Sequence, residues 1–146
     1  MILSLDHVGI AVREGDAAAG AFSRLTGWPS GTLESVAGQG VRVCFLPAQA
    51  PGQAQDGARL ELLQPESDES AVGRFLARRG EGLHHVCFAV DDIAAEIARL
   101  VGEGFEAVDA TPRRGHGGLV AFLHPRAAHG VLVELLQRDP LPEDGA

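Results

Sequence analysis

Four residues stand out by type and spacing. His7 and His85 sit in matched apolar segments, LDHVGIAV and LHHVCFAV, 78 residues apart. Glu61 and Glu134 sit inside LELLQ and VELLQ, 73 residues apart, half the length of the 146-residue chain. A carboxylate inside such a run is expensive to bury unless something compensates its charge. Two imidazoles and two carboxylates suit one divalent cation: they fill four places and leave two positions of an octahedral shell open, as a catalytic site needs. Taken singly, each residue reads more readily as a satisfied core histidine or a solvent-facing glutamate. Their matched positions in two halves favour a shared metal site formed by His7, Glu61, His85 and Glu134.

The elements that must carry these residues form an internal repeat. Each histidine segment is followed by acids, an alanine-rich helical stretch, and a glycine next to an aromatic, Gly27-Trp28 and Gly104-Phe105. Phe45-Leu46-Pro47 then matches Phe122-Leu123-His124-Pro125, and each glutamate segment closes its half. Periodicity predicts a strand over 4–12, a helix over 15–26 and strands near 31–36, 41–46 and 58–64. The second half repeats this with a strand over 83–90, a helix over 92–102 capped by Asp91 or Asp92, and strands near 105–109, 118–124 and 130–137. Residues 47–57 lack periodicity and read as a hairpin loop, and Asp68 to Arg79 reads as a linking helix that ends at Gly80. The expectation is one α+β domain over 1–146. Its parts are a βαβββ module over about 1–66, a linker over about 67–80, a second module over about 81–138 and a frayed tail over 139–146.

Strand alternation sorts the side chains. His7 shares a face with Gly9 and Ala11, opposite Val8, Ile10 and Val12; His85 shares a face with Cys87 and Ala89, opposite Val86, Phe88 and Val90. The bulky faces suit packing against helices, and the histidine faces suit the lining of a cavity. By the same rule His84 lies opposite His85 and packs or hydrogen-bonds rather than ligates. His124, in FLHP, reads as structural, and His116 as a solvated loop residue.

Composition removes whole classes of function. Apolar residues at 45% and charged residues at 22% describe a globular chain, without the apolar run of ~20 residues that a membrane helix needs. The segment MILSLDHVGI has no basic region and carries Asp6, so no secretory signal is expected and the cytoplasm is the expected compartment. Twenty acids against twelve bases give a net charge of −8, which offers a nucleic acid no electrostatic footing. All twelve bases are arginine, so lysine Schiff-base chemistry is excluded, and the absence of tyrosine excludes a phenolic acid. Cys44 and Cys87 lie in apolar runs and read as small buried hydrophobes of a reducing compartment. An anionic substrate tail would fall to arginines, of which Arg74, Arg78, Arg79, Arg113, Arg114 and Arg126 are candidates.

The blocks DHVGIAV at 6–12, QGVRVCFL at 39–46, ELLQP at 61–65, AVGRFLARRGEGLHHVCFAVDDI at 71–93, FLHP at 122–125 and GVLVELLQ at 130–137 resemble the vicinal oxygen chelate superfamily, which includes the glyoxalases, bleomycin resistance proteins and dioxygenases. Within it they look like the methylmalonyl-CoA epimerase family. The resemblance implies two paired βαβββ modules that form a curved mixed sheet around a central metal cavity, with His7, Glu61, His85 and Glu134 as the family's ligands. It further implies a homodimer that interconverts (R)- and (S)-methylmalonyl-CoA, and the ligand types allow cobalt, nickel, manganese or zinc as the one divalent ion. The reaction would remove and return the C2 proton through a metal-stabilised enolate. Val43 stands where some members carry a candidate basic glutamate, which leaves Glu134 and Glu61 as the expected bases. The GHGG turn at 115–118 runs into FLHP with one residue fewer than is usual. Glyoxalase I uses a similar donor set, but the residues around the ligands resemble the epimerases more. A resistance-type binding protein would not need these ligands.

Overall fold

The computed structural model describes residues 1–140, and the remainder of the expected tail lies outside them. Its strands are β1 (Ile2–Ala11), β2 (Glu34–Val36), β3 (Val41–Leu46), β4 (Arg59–Pro65), β5 (Gly82–Val90), β6 (Arg113–Gly115), β7 (Gly118–Leu123) and β8 (Val133–Arg138). The helices are α1 (Gly15–Thr26), α2 (Ala71–Arg79) and α3 (Ile93–Gly102). Each half therefore runs βαβββ, with α2 between the halves. Two compact units result, one of Leu5–Cys87 and one of Met1–Ser4 with the chain from Phe88 onward, so the divisions fall inside β1 and β5. No helix among the described residues is long and apolar enough to cross a membrane.

In the Leu5–Cys87 unit the strand order is β2-β3-β4-β1-β5. β1 runs parallel to β4, with His7 opposite Arg59 and Gly9 opposite Glu61; β3 is antiparallel to β4, with Phe45 opposite Glu61. The alternation expected of β1 holds for its apolar face. Ile10 and Val12 pack with Cys44, Leu46, Leu62 and Ala19 of α1. On the other face Ala11, Val41, Val43 and Leu63 are covered by Val72 and Leu76 of α2. A fully buried leucine such as Leu46 or Leu62 contributes roughly 1.5–3 kcal/mol by leaving water. Ser70 caps α2 by accepting the Gly73 N–H, and Gly80 ends it at φ 74° with its N–H on the Leu76 carbonyl.

The second unit orders its strands β5-β8-β7-β6, using the end of β5. β7 and β8 are antiparallel, with Phe122 opposite Glu134. Ile93, Ile97 and Leu100 of α3 pack on Val90, Ala121, Leu123 and Leu135. Asp92 caps α3 through the Ala95 N–H. The repeated glutamines also hold the helix starts: Gln64 accepts the Gly15 N–H of α1 at 2.7 Å, and Gln137 accepts the Ile93 N–H of α3 at 2.9 Å.

One expected strand is corrected. Residues 105–109 make only a single bridge, Ala107 to Leu123, and the edge strand is instead Arg113–Gly115. The Asp109 side chain takes the Phe122 N–H that a neighbouring strand would otherwise use, and Pro112 has no N–H to offer a ladder. The strand expected over 31–36 likewise shrinks to Glu34–Val36, since before it only Gly31 makes a backbone hydrogen bond to β3.

Candidate metal centre

Parallel pairing of β1 with β4 places His7 and Glu61 on one sheet face, and β5 is the next strand beyond β1. His7 Nε2 lies 3.1 Å from His85 Nε2, and Glu61 Oε1 lies 3.4 Å from the former and 3.3 Å from the latter. Donors held about 2.1 Å from one ion stand about 3.0 Å apart at octahedral corners and about 3.4 Å apart at tetrahedral ones. The triangle fits a divalent ion on all three edges. His7, His85 and Glu61 are all nearly out of solvent.

The ionisation of these groups shows how strongly the cluster calls for positive charge. Burial favours a neutral His7 ring, but hydrogen bonds with Asp6, Cys87 and Glu61 override it and push the imidazolium up to about 12. Burial would raise Glu61, yet His7 and His85 hold its carboxyl down at about 2.

The approach of His85 depends on Gly9. A Cβ at Gly9 would lie 2.2 Å from His85 Cε1 and 2.4 Å from its Nδ1, so only glycine lets the imidazole lie over the β1 backbone. Two further residues, each just before one of these histidines, support the rings. Asp6 accepts from His7 Nδ1 at 2.7 Å and from the Arg59 guanidinium at 2.7 Å. His84 Nδ1 lies 2.9 Å from His85 Nδ1, and its ring packs edge-on against Phe75 of α2 at 4.8 Å. Burial, then the neighbouring His85, lowers His84 to about 4, so its ring is neutral and can accept the His85 N–H. Alternation assigns His84 to the opposite face, but its expected hydrogen-bonding role stands. Asp6 escapes sequence reasoning for the same reason, although an acid beside a histidine in an apolar strand is a usable signal.

Glu134 holds the corresponding place in its own unit. It is buried on β8 directly across from Phe122, as Glu61 is across from Phe45. Val43 is buried among Leu63, Val72 and Leu76, so β3 presents no carboxylate there. Cys44 and Cys87 are buried, as expected, and neither forms a disulfide. His124 accepts the Arg126 N–H and starts a short 3-10 turn, and His116 lies in the turn between β6 and β7. Among the arginines considered for an anionic tail, Arg114 pairs with Asp139, Arg126 with Glu106, and Arg113 lies over Phe122 at 5.8 Å.

A repeated βαβββ unit with ligands on its first and last strands defines a class of metal-chelating folds built by duplication. Residues 6–122 match the Glyoxalase/Bleomycin resistance protein/Dioxygenase superfamily, and the chain belongs to that family. Its fold is the vicinal oxygen chelate fold. The chain is similar to the ethylmalonyl-CoA/methylmalonyl-CoA epimerase of Cereibacter sphaeroides, 36% identical over 140 residues, or 94% of this chain and 99% of that one. It is 33% identical to the mitochondrial methylmalonyl-CoA epimerase of Homo sapiens over 91% of this chain and 73% of that one. Among solved structures, a Streptomyces coelicolor methylmalonyl-CoA epimerase variant in complex with 2-nitronate-propionyl-CoA superposes with a TM-score of 0.86. It is 34% identical, and the match covers 96% of this chain and all of that one.

Proposed function

We propose that this chain is an isomerase, a metal-dependent epimerase that interconverts (R)- and (S)-methylmalonyl-CoA. The observation that carries the reading is the 3.1–3.4 Å donor triangle of His7, Glu61 and His85, in a chain whose relatives are epimerases of that thioester. Glu134 completes the set: it is the repeat partner of Glu61, it is buried, and it keeps the same cross-strand neighbour. A divalent ion held by these four (cobalt, nickel, manganese or zinc) supplies Lewis-acid stabilisation of the charge that gathers on the thioester oxygen when C2 loses its proton.

The chain's own residues move the proton. Epimerisation takes a proton from one face of C2 and returns one to the other, so it needs an acceptor on one side and a donor on the other. Glu134 and Glu61 are the carboxylates in the donor set. One accepts the C2 proton at an Oε while the other, protonated, delivers its own, and the roles exchange for the reverse reaction. The buried, apolar Val43 supports the assignment by removing a base from the third strand. The full reading is a cytoplasmic homodimer acting on a small acyl-CoA thioester. The apolar residues Ile2, Leu3 and Leu5 left exposed on β1 support a subunit contact.

The test is proton NMR in deuterated water with the metal-loaded protein and methylmalonyl-CoA, set beside the hemithioacetal of methylglyoxal and a thiol. Loss of the C2 proton signal with racemisation is expected. Formation of a lactoyl thioester without C2 exchange would replace the reading with a glyoxalase-type lyase.

A further inference from the structure

We propose that Asp6 and Arg59 form an outer shell that positions His7 and sets its strength as a donor, so that the two histidines of the centre are chemically unequal. The inference rests on the reading of His7, His85 and Glu61 as metal-holding residues. Asp6 is only 2% exposed, and its Oδ2 lies 2.7 Å from His7 Nδ1 and 2.7 Å from Arg59 Nη2. Accepting the Nδ1–H holds the ring so that Nε2 is the nitrogen left to give up its proton to a metal, and Nε2 is the atom that faces His85 and Glu61. Arg59 in turn places a guanidinium against this buried carboxylate, the counter-charge that a group so far from water needs. Phe45 aligns both partners. The guanidinium of Arg59 lies 4.0 Å over its ring, and His7 meets that ring edge-on at 5.5 Å.

His85 has a different support at the same atom. Its Nδ1 meets an imidazole nitrogen of His84 at 2.9 Å, where His7 has a carboxylate oxygen, and an imidazole is the weaker acceptor. The repeat thus duplicates the ligands but not what stands behind them, and His7 becomes the stronger donor.

The test measures metal affinity by chelator competition and records the visible d–d absorption of the cobalt(II) form. Asp6→Asn keeps an acceptor of the same shape and removes the charge. It is expected to weaken metal binding roughly ten- to hundredfold and to shift the cobalt absorption. Arg59→Met moves both in the same direction, Arg59→Lys restores them, and the double variant is no weaker than Asp6→Asn alone because Arg59 acts through Asp6. A larger effect from His84→Gln than from Asp6→Asn would overturn the inequality. Affinity within twofold of the parent together with an unchanged spectrum in Asp6→Asn would overturn the proposal, as would full additivity of the two single changes. If Asp6→Asn does not fold, the Met and Lys variants of Arg59 decide between these outcomes alone. Failure of the parent protein to take up cobalt would instead sink the metal-holding reading itself.

Discussion

Substituting alanine for Gly9 should weaken metal binding about a hundredfold while leaving the sheet standing. The added Cβ would lie 2.2 Å from His85 Cε1, 2.4 Å from Nδ1 and 2.9 Å from Nε2, against ordinary carbon contacts of about 3.5–4.0 Å. The ring must retreat by more than about 1 Å, whereas a metal–donor distance tolerates only about 0.2 Å. His84 stands against that ring, 2.9 Å from Nδ1, and restricts its movement. Gly9 is in an ordinary extended strand, so the backbone accepts alanine. The smaller freedom of the unfolded chain offsets part of the roughly 1–3 kcal/mol of overpacking. The folding cost is therefore small and the binding cost large, about a hundredfold in affinity. The assay is thermal unfolding with and without metal. At a metal concentration one hundred times Kd, the parent gains about 2.7 kcal/mol, which for a domain of this size raises Tm by about 5–10 °C. In Gly9→Ala the same metal concentration gives only about 0.4 kcal/mol and a rise of about 1–2 °C. A variant with the full metal-dependent rise would refute the claim that glycine is there to admit His85.

Glu134→Gln should keep an oxygen donor for the metal yet slow deuterium exchange at C2 by roughly 10²–10⁴-fold, the usual worth of a general base; full-rate exchange in metal-loaded variant removes that role from Glu134. Because His7 is pushed up to about 12 in the metal-free protein, its ring carries a proton at pH 7 that metal must displace. Calorimetry in buffers of different ionisation enthalpy should therefore register about one proton released per ion, and none released would contradict the hydrogen-bonding account of His7. The stability of the metal-free protein follows the same two groups. The His7 contribution is complete below its ordinary 6.5 and lost as pH rises toward about 12, and that of Glu61 is complete above its ordinary 4.5 and lost toward about 2. Urea midpoints should accordingly peak between about pH 4.5 and 6.5, and a monotonic rise through pH 9 would count against these shifts. Gln137→Ala should cost about 1 kcal/mol by orphaning the first N–H of α3, read from urea unfolding; a loss within error of zero would mean that water replaces the bond.

What is legible in the sequence is what duplication wrote twice. The matched histidines and glutamates can be paired from the chain alone, because a residue type kept at two equivalent positions is a stronger signal than either position by itself. The same holds for Gln64 and Gln137, whose repetition is explained by the helix starts they hold. Residues without a counterpart escape. Alternation sorts Asp6 and His84 onto the far face, but a side chain can still reach its neighbour's Nδ1 within a strand, so alternation predicts the face and not the contact. Gly9 reads as a small lining residue, since its need for a bare Cα arises only when β5 brings a ring over it. The mismatch at 105–109 is local: those residues have strand-like composition, but Asp109 and Pro112 cut the ladder.

The duplicated and unduplicated parts of the centre answer different demands of the proposed chemistry. The two epimers differ only in the hand of one carbon, so a catalyst serving both directions benefits from a carboxylate on each face, and a repeat supplies that pair without further invention. Binding a single ion has no such symmetry. Equal donors on all sides would leave the ion's acidity to the ligand types alone, whereas Asp6 and Arg59 give one half a handle on it that the other half lacks. Changes to the glutamate pair should therefore alter proton transfer in both directions together, and changes behind His7 should alter metal affinity first. A change at Asp6 or Arg59 that slowed C2 exchange with no effect on metal binding would break that division.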